Sequence, residues 1–145
     1  MPLLAGYQID FINAVCNPDN TQTWTYSVTK IDTPKPEISN WALILCSDPM
    51  HIVLDSSGPL GSTVVVGQGQ PCLVTFSNTI KWENLSNDNV DGIYTFKLQG
   101  CFQPETLQNS VAVKAGPECY FGELTVPSCK PLNPPITPIR GIAFK

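Results

Sequence analysis

Six cysteines are the residues of this sequence best suited to covalent chemistry. Structural zinc sites and thioredoxin-like dithiols use closely spaced cysteine pairs, and no C-x-x-C pair occurs here, so the spacing favours disulfides. Spacing alone does not choose among the possible pairings, and six buried thiols in a reducing compartment are the alternative. The six positions span nearly the whole chain: Cys16, Cys46, Cys72, Cys101, Cys119 and Cys129.

His51 is the single histidine and the obvious candidate for a general base. A catalytic imidazole needs a nucleophile to activate and a partner that orients it, and neither is evident near His51. Asp48-Pro49, just before it, is ordinary turn chemistry. The sequence also lacks a nucleophile-elbow motif, a phosphate-binding glycine loop and a paired-histidine metal motif. We therefore predict that the protein is not an enzyme and has no cofactor and no metal site.

Residues 87–92, Asn-Asp-Asn-Val-Asp-Gly, resemble the start of a calcium-binding loop, in which alternate side-chain oxygens wrap the cation. The first position is Asn87, however, and the twelfth is Leu98, where such a loop needs a bidentate Glu. Asn, Asp and Gly are also the residues of ordinary turns. The sequence favours a turn that precedes a strand.

Three tryptophans, Trp24, Trp41 and Trp82, have the chemistry to stack on sugar rings. Such a platform would make the protein a carbohydrate or cell-wall binding module. Each tryptophan nevertheless lies in a segment predicted to be a strand, where a large aromatic side chain contributes most when it faces the core. Core packing is the preferred interpretation, and glycan binding is kept as the alternative.

The charge and length of the chain exclude several classes of protein. The 145 residues fit one domain, and the 8 basic and 12 acidic residues give a net charge of −4. Charged residues are 14% of the chain, against about 25% in an average soluble protein. No basic run suits nucleic acid, and no apolar run suits a membrane span. The N-terminus lacks the basic and apolar regions of a secretory signal, so extracellular or spore-surface placement would need another route, such as lysis of the producing cell.

Apolar and polar residues alternate at period two along most of the chain, which is typical of strands with one buried face. Turn residues separate these runs, as in Asn17-Pro18-Asp19-Asn20 and Ser56-Ser57-Gly58-Pro59. No stretch has a convincing helical period. Strands are predicted at residues 6–15, 23–31, 41–46, 51–55, 63–66, 72–82, 92–100, 110–115 and 121–126.

Nine or ten short strands at this spacing predict an all-β fold, an antiparallel two-sheet β-sandwich of jelly-roll or immunoglobulin-like type with extended terminal arms. We divide the chain into an N-terminal strand or arm (1–15), the sandwich (16–129) and a proline-rich C-terminal arm (130–145). Prolines in that arm lack ladder donors and keep it extended. Its apolar anchors are Ile139, Ile142 and Phe144, in a possible short strand at 139–144.

The sequence resembles a bacterial surface-exposed β-sandwich family in five short motifs between about residues 22 and 129. The motifs are W-x-Y-x-V at 24–28, I-S-x-W-x-L-x-L-C at 38–46, I-K-W at 80–82, V-K-A-G at 113–116 and P-S-C at 127–129. The resemblance implies a non-enzymatic extracellular module and, because the family pattern has both cysteines, a disulfide between Cys46 and Cys129. The first twenty residues, the proline-rich arm and the other four cysteines lie outside these motifs.

In its cysteine content and its start without a secretory signal, the chain is also similar to spore-appendage and exosporium subunits. Those subunits assemble through terminal arms, and no motif is shared with them. The leading hypothesis is therefore a self-assembling structural subunit of a bacterial extracellular fibre, appendage or lattice, associated with spores. Its main partner would be itself, with other surface proteins as further partners. An edge strand that accepts an arm from a neighbour would link the subunits.

Overall fold

A computed structural model describes residues 2–132 of the chain. These residues form ten strands and no helix. None of their elements is an apolar helix long enough to cross a membrane. The strands are β1 (Leu3–Leu4), β2 (Tyr7–Cys16), β3 (Thr21–Lys30), β4 (Ile38–Ile44), β5 (Val53–Ser57), β6 (Thr63–Gly67), β7 (Thr79–Glu83), β8 (Gly92–Gln99), β9 (Phe102–Ala115) and β10 (Glu118–Pro131).

The strands pair into two antiparallel five-stranded sheets that pack as a sandwich. The first sheet has the order β1-β2-β3-β8-β5, and the second has the order β10-β9-β4-β7-β6. The predicted antiparallel two-sheet sandwich with nine or ten strands is confirmed. Strands β1 and β5 are the edges of the first sheet, and β10 and β6 are the edges of the second.

Alternation along the strands places large aromatic side chains between the sheets. In β3, Trp24, Tyr26 and Val28 are buried while the residues between them are partly exposed. The hydroxyl of Tyr26 donates to the carbonyl oxygen of Thr125 in β10 at 2.7 Å, which ties the first sheet to the second. Burial raises the pKa of this phenol well above its usual range, so it remains a donor at any physiological pH.

Several strand boundaries differ from the sequence predictions, and three of the differences are large. The predicted strand at 72–82 is wrong over its first half, because only Thr79–Glu83 pairs as β7 and the preceding residues form a loop. Strand β9 begins at Phe102, eight residues before the predicted strand at 110–115. Strand β10 continues to Pro131, so the first two residues of the predicted C-terminal arm belong to the sandwich.

The N-terminal segment is a strand of the sandwich rather than a projecting arm. Strand β2 pairs with β3 along its whole length, and Leu4 and Tyr7 are buried. Ile12, which interrupts the alternation in the sequence, lies at a shift of register between Phe11 and Asn13. The N-terminal segment is therefore held in place by strand pairing within its own domain.

Candidate functional site

All six cysteines are paired in three disulfides: Cys16–Cys101, Cys46–Cys129 and Cys72–Cys119. Their Cα–Cα distances are between 5.5 and 5.7 Å, which is ordinary for disulfides. Cys46–Cys129 is the pair that the family resemblance implied. Three disulfides in a chain of this size indicate folding in an oxidising environment, as in extracellular proteins.

Two of the disulfides join parts of the sandwich that are far apart in sequence. Cys16 ends β2 and Cys101 precedes β9, so their bond connects the first sheet to the second, with a sequence separation of 85 residues. Cys46 follows β4, a central strand, and Cys129 lies near the end of β10, an edge strand. The C-terminal end of β10 is thus fastened to the middle of its sheet.

The third disulfide holds the β6–β7 loop against the outer face of the second sheet. Cys72 belongs to this loop and bonds to Cys119 in β10. The loop places Leu73 on Ala42 and Ala112, whose small side chains leave room for it, and all three are buried. Gly69 is required in the loop, because an added Cβ would lie 2.0 Å from the carbonyl oxygen of Leu73.

Two open grooves flank this loop, and Phe76 lines both of them. The first, of about 390 Å³, also contains Leu107 and the Cys46–Cys129 disulfide. The second, also about 390 Å³, runs past Phe121, which is half-exposed on β10. The linings are mostly apolar, although the first groove also includes Asp48, Glu105 and Lys130. The described residues contain no group of three or more histidine, cysteine, aspartate or glutamate side chains placed for a metal ion.

His51 is buried beside the Cys46–Cys129 disulfide, and both of its ring nitrogens are used. Nδ1 accepts from the backbone N–H of Cys46 at 2.9 Å, so the ring proton is on Nε2, which lies 2.9 Å from the carbonyl oxygen of Ser128. The ring packs edge-on against Phe102. Burial lowers the pKa of His51, partly offset by the bond to Ser128. The imidazole is a neutral structural link between the β4–β5 connection and β10.

The oxygens of residues 87–91 are directed to separate partners within the protein. Oδ1 of Asn87 accepts from the Tyr7 hydroxyl, and Oδ1 of Asn89 accepts from the backbone N–H of Ser86. Oδ1 of Asp91 accepts from the backbone N–H of Lys30 at 2.7 Å. The side chains therefore stabilise a turn and its contacts with the ends of β2 and β3, and these three oxygens have separate partners.

The tryptophans have no surface to offer a ligand. Trp24, Trp41 and Trp82 are fully buried, with 0% of each residue exposed. Trp41 and Trp82 stack with ring centroids 4.7 Å apart, and Trp24 stacks on Phe96. A sugar ring needs an exposed aromatic face, so the glycan-platform interpretation is wrong for these three residues.

The four edge strands differ in how far they are protected against pairing with another strand. Strand β1 has two residues, β5 has an irregular register and an aspartate, and β10 has prolines, charged residues and two register shifts. These are devices that natural sheets use against edge-to-edge association. Strand β6 has none of them, although three valines occupy its centre. Sequence reasoning missed this edge, because the uncharged run Thr-Val-Val-Val-Gly predicts a strand but not its place in the sheet.

The C-terminal segment leaves the sandwich at a fixed position. Pro131 pairs with Phe102, and the N–H of Leu132 donates to the carbonyl oxygen of Cys101 at 2.8 Å. The three predicted anchors, Ile139, Ile142 and Phe144, lie outside the described residues.

Comparison of the chain with profiles of known families, with curated proteins and with solved structures gives no match. The resemblance to bacterial surface β-sandwich proteins therefore stays an expectation from the sequence motifs.

Proposed function

We propose that the protein is a self-assembling structural subunit of a bacterial extracellular fibre, appendage or surface lattice, with the spore surface as its location. Subunits associate with one another and with other surface proteins, without enzymatic activity. The C-terminal segment links them by joining the sheet of a neighbour.

The observation that supports this proposal most directly is a disulfide-locked domain with an unprotected sheet edge. Three disulfides fix the sandwich, while β6 has a strand partner on one side only among the described residues. Unpaired backbone N–H and C=O groups at a sheet edge are a template for strand addition. A durable domain with such an edge has the properties that a fibre subunit needs.

The fold uses the cysteines, the histidine and the tryptophans that the sequence offered as candidate functional groups, which also favours a structural role. The cysteines are in disulfides, and His51 makes two hydrogen bonds to the backbone. The tryptophans are in the core. The surface presents uncharged polar side chains together with exposed apolar residues such as Leu60 and Ile93.

Electron microscopy of the purified, oxidised protein tests the proposal. We expect filaments or sheets from the full chain and monomers from a variant that lacks residues 133–145. This deletion keeps Pro131 paired with Phe102 and keeps the Leu132 bond to Cys101, so the sandwich is left whole. A full chain that stays monomeric at every concentration contradicts the proposed function. A truncated chain that still polymerises shows that another surface is the connector.

A further inference from the structure

Strand β6 has the features of a sheet edge that an added strand can pair with. It pairs with β7 through five consecutive residues without a register shift, from Thr63 opposite Glu83 to Gly67 opposite Thr79. It has no charged residue and no proline. Val65 and Val66 are 43% and 44% exposed. An incoming strand would therefore meet a straight ladder and apolar side chains.

Lys81, in the strand next to β6, does not protect this edge against strand addition. Lys81 lies opposite Val65 in the neighbouring strand β7. Its ammonium group lies 2.6 Å from Oε2 of Glu83 and donates to the carbonyl oxygen of Gln70 at 2.7 Å. Only 12% of the Lys81 side chain is exposed. A lysine is the commonest protection of an exposed edge, and this one is engaged elsewhere.

The other face of β6 continues into the core. Val64 packs against the main core cluster, and it lies opposite Trp82. The indole N–H of Trp82 donates to the carbonyl oxygen of Ser57, so β7, the strand next to β6, is tied to the edge strand β5 of the other sheet. A strand added at β6 would extend a core that already reaches this edge.

The charge of residues 133–145 suits this acceptor. The segment contains Arg140 and Lys145 and no acidic residue. Because the whole chain has a net charge of −4 and the segment contributes +2, residues 1–132 carry −6. Glu83 lies opposite the first residue of β6 but is paired with Lys81, so the complementary charge is that of the domain as a whole. A cationic segment with four large apolar residues therefore complements an anionic domain with an apolar edge.

The position of the segment favours a second copy over its own domain. The chain leaves the sandwich from β10, which lies at the opposite edge of the same sheet from β6. Four strand spacings, about 19 Å, separate the two edges. At this end of the sheet, Asn78 donates to the carbonyl oxygens of Cys46 and His51, in the connection that follows β4, and β4 lies between the two edges. Thirteen extended residues reach about 43 Å, which is long enough for a neighbouring molecule as well as for the β6 edge of the same domain, and hydrogen exchange distinguishes the two.

We infer that the open edge of β6 accepts residues 133–145 of a second copy of this chain as an added strand. This inference rests on the proposed function and names the acceptor within it.

Charging the edge tests the inference. In Val65→Lys, an ammonium group replaces an exposed apolar side chain on β6. In Ile93→Lys the same change is made on β8, an inner strand of the other sheet, at a residue that pairs with Ser27 of β3. Ile93 is 53% exposed, so the two changes are matched. We expect Val65→Lys to abolish assembly and Ile93→Lys to retain it, with both proteins keeping the melting temperature of the parent. Assembly that survives in Val65→Lys overturns the acceptor inference while the proposed function stands.

Mixing two defective proteins separates donor from acceptor. Val65→Lys has an intact C-terminal segment but no acceptor, and a chain with Ile142→Lys and Phe144→Lys has an intact β6 but no donor. We expect each to be a monomer alone and the mixture to form a one-to-one dimer by light scattering. Hydrogen exchange should slow at residues 63–67 in the dimer. A donor-defective chain that still polymerises shows that β6 pairs with another β6, and a mixture that stays monomeric also overturns the inference.

Intramolecular docking gives a different result. If residues 133–145 cover the edge of their own domain, the amides of 63–67 are protected in the monomer at every concentration. The donor-defective variant then loses that protection without any change in mass. This outcome overturns the choice of a second copy.

Discussion

The imidazole of His51 joins the β4–β5 connection to β10 through the carbonyl oxygen of Ser128, 2.9 Å from Nε2. The backbone N–H of Cys46 donates to the other ring nitrogen, so the bond network holds only for a neutral ring. Next to this ring, the Cys46–Cys129 disulfide makes the same connection covalently.

Stability should fall in mild acid because of His51. The pKa of this ring in the folded protein lies below its usual value of 6.5, so the unfolded chain takes up a proton first as the pH falls. The contribution of the neutral His51 ring to the free energy of unfolding is complete above pH 6.5. Below that pH it decreases by up to about 1.4 kcal/mol per pH unit. Denaturant unfolding with intact disulfides between pH 5 and 7.5 measures this slope. His51→Gln should show a shallower slope, and an unchanged slope contradicts the assignment.

Removal of the Cys46–Cys129 disulfide should weaken the fold strongly. The bond closes a separation of 83 residues, for which the chain-entropy estimate is about 4 kcal/mol. The double variant Cys46→Ala with Cys129→Ala should lose that much unfolding free energy in denaturant titrations. Mass spectrometry without reduction should show the other two disulfides intact. Six free thiols in native material would argue against the oxidising environment.

Replacement of Trp82 by Ala should cost about 3–5 kcal/mol of unfolding free energy, because a fully buried indole leaves a cavity. The same truncation at Phe121, which is 45% exposed on β10, is the control and should cost much less. Calorimetry of both variants measures the two losses of unfolding free energy. Equal, small losses at the two positions would show that Trp82 is not a core residue.

Asn89 should matter for the fold of its turn and not for calcium. Its amide nitrogen donates to the carbonyl oxygens of Leu60 and Asn84, and its oxygen accepts from Ser86. Asn89→Ala should cost about 1–3 kcal/mol, whereas Asp88→Ala, at an exposed position, should be nearly neutral. Added CaCl2 should leave the melting temperature of the parent protein unchanged. A calcium-dependent rise that Asn89→Ala abolishes would restore the metal-loop interpretation.

Local alternation was enough to predict the strands whose two faces differ. In β3 and β8, buried aromatic residues alternate with polar residues, and both strands were predicted within two residues of their bounds. The predicted strand at 72–82 failed because Leu73 and Phe76 are apolar for another reason, namely packing of a loop on Ala42 and Ala112. That contact joins residues far apart in sequence, so a local sequence pattern does not predict it.

The candidate acceptor depends on strand order, which the sequence pattern does not contain. Residues 63–66 were predicted to be a strand, and the structure extends it to Gly67. Three adjacent valines fit a strand in the middle of a sheet or at its edge equally well. Among the described residues, β6 pairs only with β7, so the valines lie at an edge. Likewise, the start of β9 at Phe102 follows from pairing with Pro131 rather than from alternation.

The position of Cys129 sets how the domain responds to mechanical force. Only Lys130 to Leu132 separate this cysteine from residues 133–145, so tension on that segment reaches the disulfide after three residues. From there the force passes into the chain beside β4, in the centre of the sheet, and does not peel β10 from β9 one hydrogen bond at a time. We expect a pulled molecule to extend by its C-terminal segment alone, and to lose that resistance when a reductant cuts the disulfide.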